Sequence, residues 1–211
     1  MTDVQEGHKK GTTTVGIVCK DAVILAADKR ATLGFLIANK DVDKIFEVTS
    51  NIGMTFAGSA ADGQALAKLM KAEMRLYNLN TGLAPSLTVA ASLTANVVLE
   101  RAKSFIPYYV QLIMGGKDTN SFSLYSLDMG GSIIQEKKFT ATGSGSPMAF
   151  GVLEDGYKDN MSSEEGVQLA FKAINSAIKR DIFTGEGVNV IVIDKNGYRK
   201  VNPEQVTTKS K

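Results

Sequence analysis

Apolar positions follow two rhythms along this chain. Short apolar runs bounded by polar or glycine-containing breaks read as strands, and longer stretches with apolar residues three and four apart read as helices. Two strand-like runs come first, over 12–19 and 23–27, and Lys20-Asp21 between them reads as a hairpin turn. Further strand-like pieces cover 36–39, 45–48 and 52–57. The stretch 60–78, rich in Ala, Leu, Met, Lys and Glu, predicts a helix ending near Asn80-Thr81-Gly82. A second helix follows Pro85-Ser86, with Leu87, Ala90, Ala91, Thr94, Val97 and Val98 at helical spacing, and stops before Pro107.

The strand rhythm returns over 109–114, 122–127 and 132–136, the last two joined by a turn around Asp128-Met129-Gly130-Gly131. A Gly/Ser segment over 141–147 precedes a helix over 149–155. Ser162 and Glu165 form a capping box ahead of a helix whose apolar face is Val167, Ala170, Phe171, Ile174 and Ile178. Two closing strands, 188–194 and 198–201, flank the turn Asp194-Lys195-Asn196-Gly197, and the Lys/Ser tail after Pro203 reads as loose. There is no internal repeat and no interdomain linker. Strands grouped as hairpins with helices in pairs predict antiparallel sheets covered by helices. The expected class is α+β: one domain with four layers, α/β/β/α, with two sheets inside and helix pairs outside.

Composition narrows the function more than the fold. Apolar content of 44% and charged content of 22% are near globular averages, so a sizeable core is expected. The net charge of +2 is spread over mixed signs with no long basic run, which argues against charge-driven binding to nucleic acid or to a membrane surface. No apolar stretch approaches the ~18 residues of a membrane-spanning helix. The first ten residues are polar and lack the apolar middle of a secretory signal, so a cytoplasmic location is expected. Cys19 is the one cysteine and His8 the one histidine. If the segment ahead of Thr12 is removed, no histidine remains, which excludes Ser-His-Asp and Cys-His catalysis and His-dependent zinc sites. No cofactor is called for; a hydrolytic base must be an amine, a carboxylate or a lysine.

Gly11-Thr12 then becomes informative. Threonines at a strand head are ordinarily just that, because β-branched residues suit a pleated surface. Cutting the Gly11–Thr12 bond, however, would give Thr12 both a hydroxyl nucleophile and an α-amine base. That amine has an unperturbed pKa of roughly 7.7–8.0, close to what a general base needs near neutrality.

Several segments match one family in order and at the expected separations: Gly11-Thr12-Thr13-Thr14-Val15-Gly16, Ala27-Asp28-Lys29-Arg30-Ala31-Thr32, Asp43-Lys44-Ile45, Gly53-Met54-Thr55-Phe56-Ala57-Gly58, Val110-Gln111-Leu112 leading to Gly115-Gly116, Thr142-Gly143-Ser144-Gly145-Ser146-Pro147, Gly151-Val152-Leu153-Glu154 and Lys179-Arg180-Asp181. From Gly11 to about Pro203 the chain resembles the archaeal-type β subunits of the proteasome core particle, threonine proteases with the N-terminal-nucleophile (Ntn) hydrolase fold. The resemblance implies a self-cleaved leader of residues 1–11 and a single domain over 12–211. Thr12 would be the nucleophile and its α-amine the base, with Gly11 at the cleavage site, where lack of a Cβ permits unusual turn geometry. Lys44 would sit beside the nucleophile and favour its deprotonated form, with Asp28 pairing that lysine. The Gly58 N–H would stabilise the oxyanion. Ser144 would contact the Thr12 amine with support from Asp181. Where the family carries Ser-Gly after that aspartate, this chain has Thr184-Gly185, which keeps the hydroxyl that the resemblance implies for a contact with the Thr12 amine and adds a methyl.

By the same resemblance, Ala31, Val42, Phe56 and Ala60 would line the pocket for the residue before the scissile bond, giving cleavage after hydrophobic residues. Thr32 and Gly58 would hold the substrate backbone as an added strand. The implied partners are other β subunits in a seven-membered ring, α subunits in capping rings, a regulatory ATPase acting through the α ring, and unfolded polypeptide as substrate. The alternative within the same particle is a processing-deficient structural β subunit; retention of Gly11, Thr12, Asp28 and Lys44 argues against it. A third reading, an Ntn amidohydrolase acting on a small amide, is disfavoured by the Gly-Ser-Gly-Ser and Lys-Arg-Asp segments.

Overall fold

The computed structural model describes residues 11–118 and 121–201. Its elements in chain order are strands β1 (Thr13–Val18), β2 (Ala22–Asp28), β3 (Ala31–Leu33), β4 (Leu36–Asn39), β5 (Ile45–Thr49) and β6 (Ile52–Gly58), then helices α1 (Ala60–Thr81) and α2 (Leu87–Ala102). Strands β7 (Val110–Lys117), β8 (Phe122–Leu127), β9 (Ile133–Glu136) and β10 (Phe139–Gly143) follow. Helices α3 (Ser146–Gly156) and α4 (Ser163–Ile178) and strands β11 (Val188–Asp194) and β12 (Gly197–Val201) complete it.

Two five-stranded sheets, ordered β10-β1-β2-β11-β12 and β5-β6-β7-β8-β9, carry only antiparallel pairings, and β3-β4 forms a separate hairpin. Strand β2 shows why the sheets stack. Its residues are all buried, and successive side chains point to opposite faces. Ala22, Ile24 and Ala26 join Leu153, Ala170 and Ile174 under α3 and α4, whereas Val23, Leu25 and Ala27 meet Ile45, Ile113 and Leu124 of the other sheet. A third cluster, including Met54, Leu66, Met70 and Leu112, packs α1 and α2 on the outer face of the second sheet. The result is the four-layer α/β/β/α arrangement. Glycine lets the sheets close: a Cβ on Gly53 would press on Leu25 at 2.9 Å and on Ile193 at 3.0 Å.

The helix ends follow their sequence signals. Ser59 caps α1 by accepting from the Asp62 N–H at 3.4 Å, and Gly82 closes it in the left-handed region, φ 70°. The capping box of Ser162 and Glu165 is formed at α4. The Lys20-Asp21 hairpin and the turn before Gly197 are also present.

The strand and helix limits differ from the sequence pattern in places. Thr12 lies just outside β1, and β7 runs on to Lys117. The Gly/Ser segment 141–147 is mostly regular structure around a short loop at Ser144-Gly145: Phe139–Gly143 is an edge strand against β1, and α3 begins at Ser146, three residues before its expected start at 149. Pro147 sits in the first turn of α3, where its missing N–H costs no hydrogen bond. Strand β3 was not anticipated. The proposed leader, apart from Gly11, and the tail after Pro203 lie outside the described residues.

Candidate functional site

The head of β1, the end of β2, the end of β6 and the loop after α4 converge at one edge of the two sheets. Pairing of β1 with β2 sets Thr14 opposite Ala27, so Thr13 and Asp28 meet at the same end. The Thr13 N–H donates to Asp28 Oδ1 at 3.0 Å, and the Lys44 ammonium donates to the same oxygen at 2.7 Å. Asp28 Oδ2 accepts from the N–H groups of Arg30 at 3.1 Å and Gly185 at 3.0 Å. Asp28 is 0% exposed and Lys44 3%, so this is a fully desolvated ion pair whose carboxylate has four donors. Burial pushes the Lys44 ammonium below its ordinary value of 10.5, opposed chiefly by the Asp28 charge and hydrogen bond and further by Asp181.

Thr12 is buried. Its hydroxyl donates to the Gly11 carbonyl oxygen at 2.7 Å, which sets that hydroxyl against the Gly11–Thr12 peptide unit. The Thr12 N–H donates to Ser144 Oγ at 3.3 Å, and the Ser144 hydroxyl donates in turn to Asp181 Oδ2 at 2.6 Å. The Thr184 hydroxyl also donates to Asp181 Oδ2, at 2.5 Å. Its proton being so engaged, Thr184 accepts the Thr13 hydroxyl at 2.7 Å. Thr184 therefore does not meet the Thr12 nitrogen directly, as the resemblance had implied; it meets the next residue along and reaches Thr12 through Asp181 and Ser144. The extra methyl is accommodated with Thr184 fully buried.

Gly58 ends β6 at φ 118°, a region that side-chain-bearing residues avoid, and a Cβ there would strike the Tyr109 carbonyl oxygen. That carbonyl accepts the Ser59 N–H at 2.8 Å, and the Tyr109 N–H donates to Asp62 Oδ2 at 3.1 Å, so the junction between β6 and α1 is fixed from both sides.

A cavity of about 240 Å³ opens beside these groups. It is bordered by Thr12, Lys44 and Gly58 and also by Ala31, Thr32, Val42, Phe56 and Ala60, so the residues singled out for substrate binding share one pocket with those singled out for chemistry. Its wall is mainly apolar; Phe56 stacks on Phe46 with ring centroids 5.6 Å apart. The Thr32 hydroxyl on that wall is buried without a hydrogen-bond partner among the described residues. A second cavity, about 310 Å³, lies on the other side of Gly11 and Gly58, against Ser144, Gln111 and Phe183.

Sequence reasoning missed several contributors. Arg30 borders the first cavity, and its guanidinium donates to the Ile182 carbonyl oxygen at 2.8 Å and pairs with Glu186 at 3.2 Å. Gln111 Oε1 accepts the Gly143 N–H at 3.1 Å, tying β7 to the loop that carries Ser144. Thr55 donates to Thr14, which then donates to Thr142, a buried hydroxyl chain that links the two sheets near the site. Threonine enrichment on facing strands is the one signal for the last; Arg30 and Gln111 stand within matched segments that gave them no role. Cys19 plays no part: burial first, and then the nearby Asp21, push its thiol up to about 12.

Such a site is equipped for acyl transfer. It combines a hydroxyl held at a carbonyl, a buried ammonium, a glycine N–H at a junction whose backbone suits only glycine, and a hydroxyl–carboxylate relay from the Thr12 nitrogen. Comparison with known proteins points the same way. Residues 8–193 match the family model described as "Proteasome subunit". The chain is 46% identical to "Proteasome subunit beta 1" of Thermococcus onnurineus over 197 residues, covering 93% of this chain and 95% of that one. It is 48% identical to "Proteasome subunit beta" of Methanocaldococcus vulcanius over 199 residues, covering 94% and 88%. With the subunit of the same name from Methanosarcina mazei the identity is 43% over 202 residues, covering 96% and 95%.

Proposed function

This chain belongs to the proteasome subunit family as a core β subunit, and from that premise we propose that it is a catalytic one: a threonine endopeptidase that frees its own nucleophile by cutting Gly11–Thr12. The observation that carries this reading is the Thr12 hydroxyl, 2.7 Å from the Gly11 carbonyl oxygen, in a pocket it shares with the buried Asp28–Lys44 pair.

In the first step Thr12 Oγ bonds to the Gly11 carbonyl carbon and the Gly11–Thr12 C–N bond breaks. The hydroxyl proton passes to the departing nitrogen, which becomes the α-amine. Water then hydrolyses the ester, releasing residues 1–11 as a carboxylic acid. In turnover the same oxygen attacks a substrate carbonyl, its proton is taken by the α-amine and delivered to the leaving amine, and water clears the acyl-enzyme. Lys44 stabilises the developing alkoxide, and Asp28 keeps Lys44 charged and in place. The Gly58 N–H faces the oxyanion, a contribution commonly worth roughly 2.7–4 kcal/mol. Ser144, Asp181 and Thr184 hold the amine in orientation. The mainly apolar cavity takes the hydrophobic side chain before the scissile bond, while Thr32 and Gly58 bind the substrate backbone.

As a member of a multisubunit particle, the chain works in a seven-membered β ring capped by α rings, cutting unfolded polypeptide that a regulatory ATPase feeds in from the cytoplasm. No cofactor enters the chemistry. The test is Thr12→Ala in particles assembled with the α subunit: both leader removal and hydrolysis of a hydrophobic fluorogenic peptide should stop while rings still form. Residual hydrolysis by that variant would falsify the nucleophile assignment.

A further inference from the structure

Gly11 stands in a slot with two walls. A Cβ built on it would run into Phe183 Cβ and Cγ on one side and would lie 2.6 Å from Ser144 Oγ on the other. Contacts under about 3 Å to atoms at the root of a side chain are not relieved by a rotamer change. Only a glycine therefore fits between Phe183 and Ser144 as they stand.

Neither wall is free to retreat. Asp181 holds both: Oδ2 accepts the Ser144 hydroxyl at 2.6 Å, and Oδ1 accepts the Phe183 N–H at 3.3 Å. The residues on either side of Phe183 are tied down as well. The Ile182 carbonyl oxygen accepts from Arg30 at 2.8 Å, and the Thr184 hydroxyl donates to Asp181 at 2.5 Å. The outer face of the Phe183 ring stacks on Phe35 of the β3–β4 hairpin, with centroids 6.5 Å apart.

We propose that Phe183 is a specificity-determining residue for leader cleavage. With Ser144 it forms a gauge that admits only glycine before the nucleophile and holds the Gly11 carbonyl against the Thr12 hydroxyl. The inference rests on the self-processing reading above. It adds a steric reason for glycine at the cleavage position, distinct from the turn freedom that the sequence suggested.

The experiment measures leader removal by intact mass over time in full-length chains assembled with the α subunit. Four versions are compared: unaltered, Gly11→Ala, Phe183→Gly, and the Gly11→Ala/Phe183→Gly pair. Because displacing a reacting group by about 1 Å can cost on the order of a hundredfold in rate, Gly11→Ala should slow processing by about that factor. The pair should recover at least about tenfold of the loss but not all of it, since the Phe183 Cβ and Cγ have gone while Ser144 Oγ, 2.6 Å away, remains. A structural role for Phe183 would give no such rescue. A pair that processes no faster than Gly11→Ala alone overturns the proposal. If Phe183→Gly does not assemble, the Gly11→Ala chain decides by itself: leader removal at the unaltered rate overturns the gauge, because the Phe183 Cβ that the new methyl should strike is still in place. Failure of the underlying reading looks different: the unaltered chain keeps its leader, or Thr12→Ala loses it.

Discussion

Asp28 accepts three backbone N–H groups as well as the Lys44 ammonium, so the carboxylate keeps most of its partners if the lysine is removed. Lys44→Ala should therefore abolish turnover in a chain that still folds and assembles, and near-normal hydrolysis by this variant would refute the role given to Lys44. On the proposed mechanism the depressed lysine also sets the alkaline limit of activity. Turnover should rise with pH as the Thr12 amine loses its proton around 8. It should then fall as Lys44 loses its own, and burial places that fall below pH 10.5. A rate profile that stays flat through pH 10.5 would contradict the requirement for a charged Lys44. Spacing along the chain could not have brought these two residues together; the ordered set of motifs did. It did not decide which residue Thr184 meets, because whether a hydroxyl reaches Thr12 or Thr13 depends on a loop path that pattern does not encode. Phe183 gave no sign at all, since its importance is a matter of where its Cβ sits.

Among the elements, those with strong local chemistry were legible. The caps at Ser162 and Gly82 and the apolar faces of α2 and α4 declare themselves in sequence because they are built from contacts three and four residues apart. Strands β3 and β10 do not, since a three-residue strand has too little period to register and Phe139–Gly143 runs into glycine and serine that ordinarily mark loops. What makes β10 a strand is its non-local pairing with β1, and this pairing carries Ser144 to Thr12. The junction between β6 and α1 has its own test. Gly58→Ala forces a side chain into φ 118° and against the Tyr109 carbonyl. It should cost about 1–3 kcal/mol of stability. It should also lower kcat by roughly 10²–10³-fold, through displacement of the oxyanion donor. A thermal melt and peptide turnover on the same particles measure both, and normal kcat would remove Gly58 from the mechanism.

For the whole molecule, the grouping of strands and helices was enough to give four layers, but not the order of strands within them. The neighbours of β2 are β1, which adjoins it in the chain, and β11, which lies near the far end, and only the latter pairing brings Gly185 to Asp28. The chain also carries Phe35 and Leu36 at the β3–β4 turn largely in water, 86% and 72% exposed, as suits a subunit that works inside a larger particle. In the chain described here the Thr12 nitrogen is still an amide, so every part of the proposed mechanism depends on one bond being broken by the molecule itself. The most direct test is the intact mass of this chain in fully assembled particles. Self-activation predicts a chain that begins at Thr12, lacking residues 1–11, and a Thr12→Ala counterpart that keeps them. Assembled, peptide-hydrolysing particles that retain the leader would contradict the account at its centre.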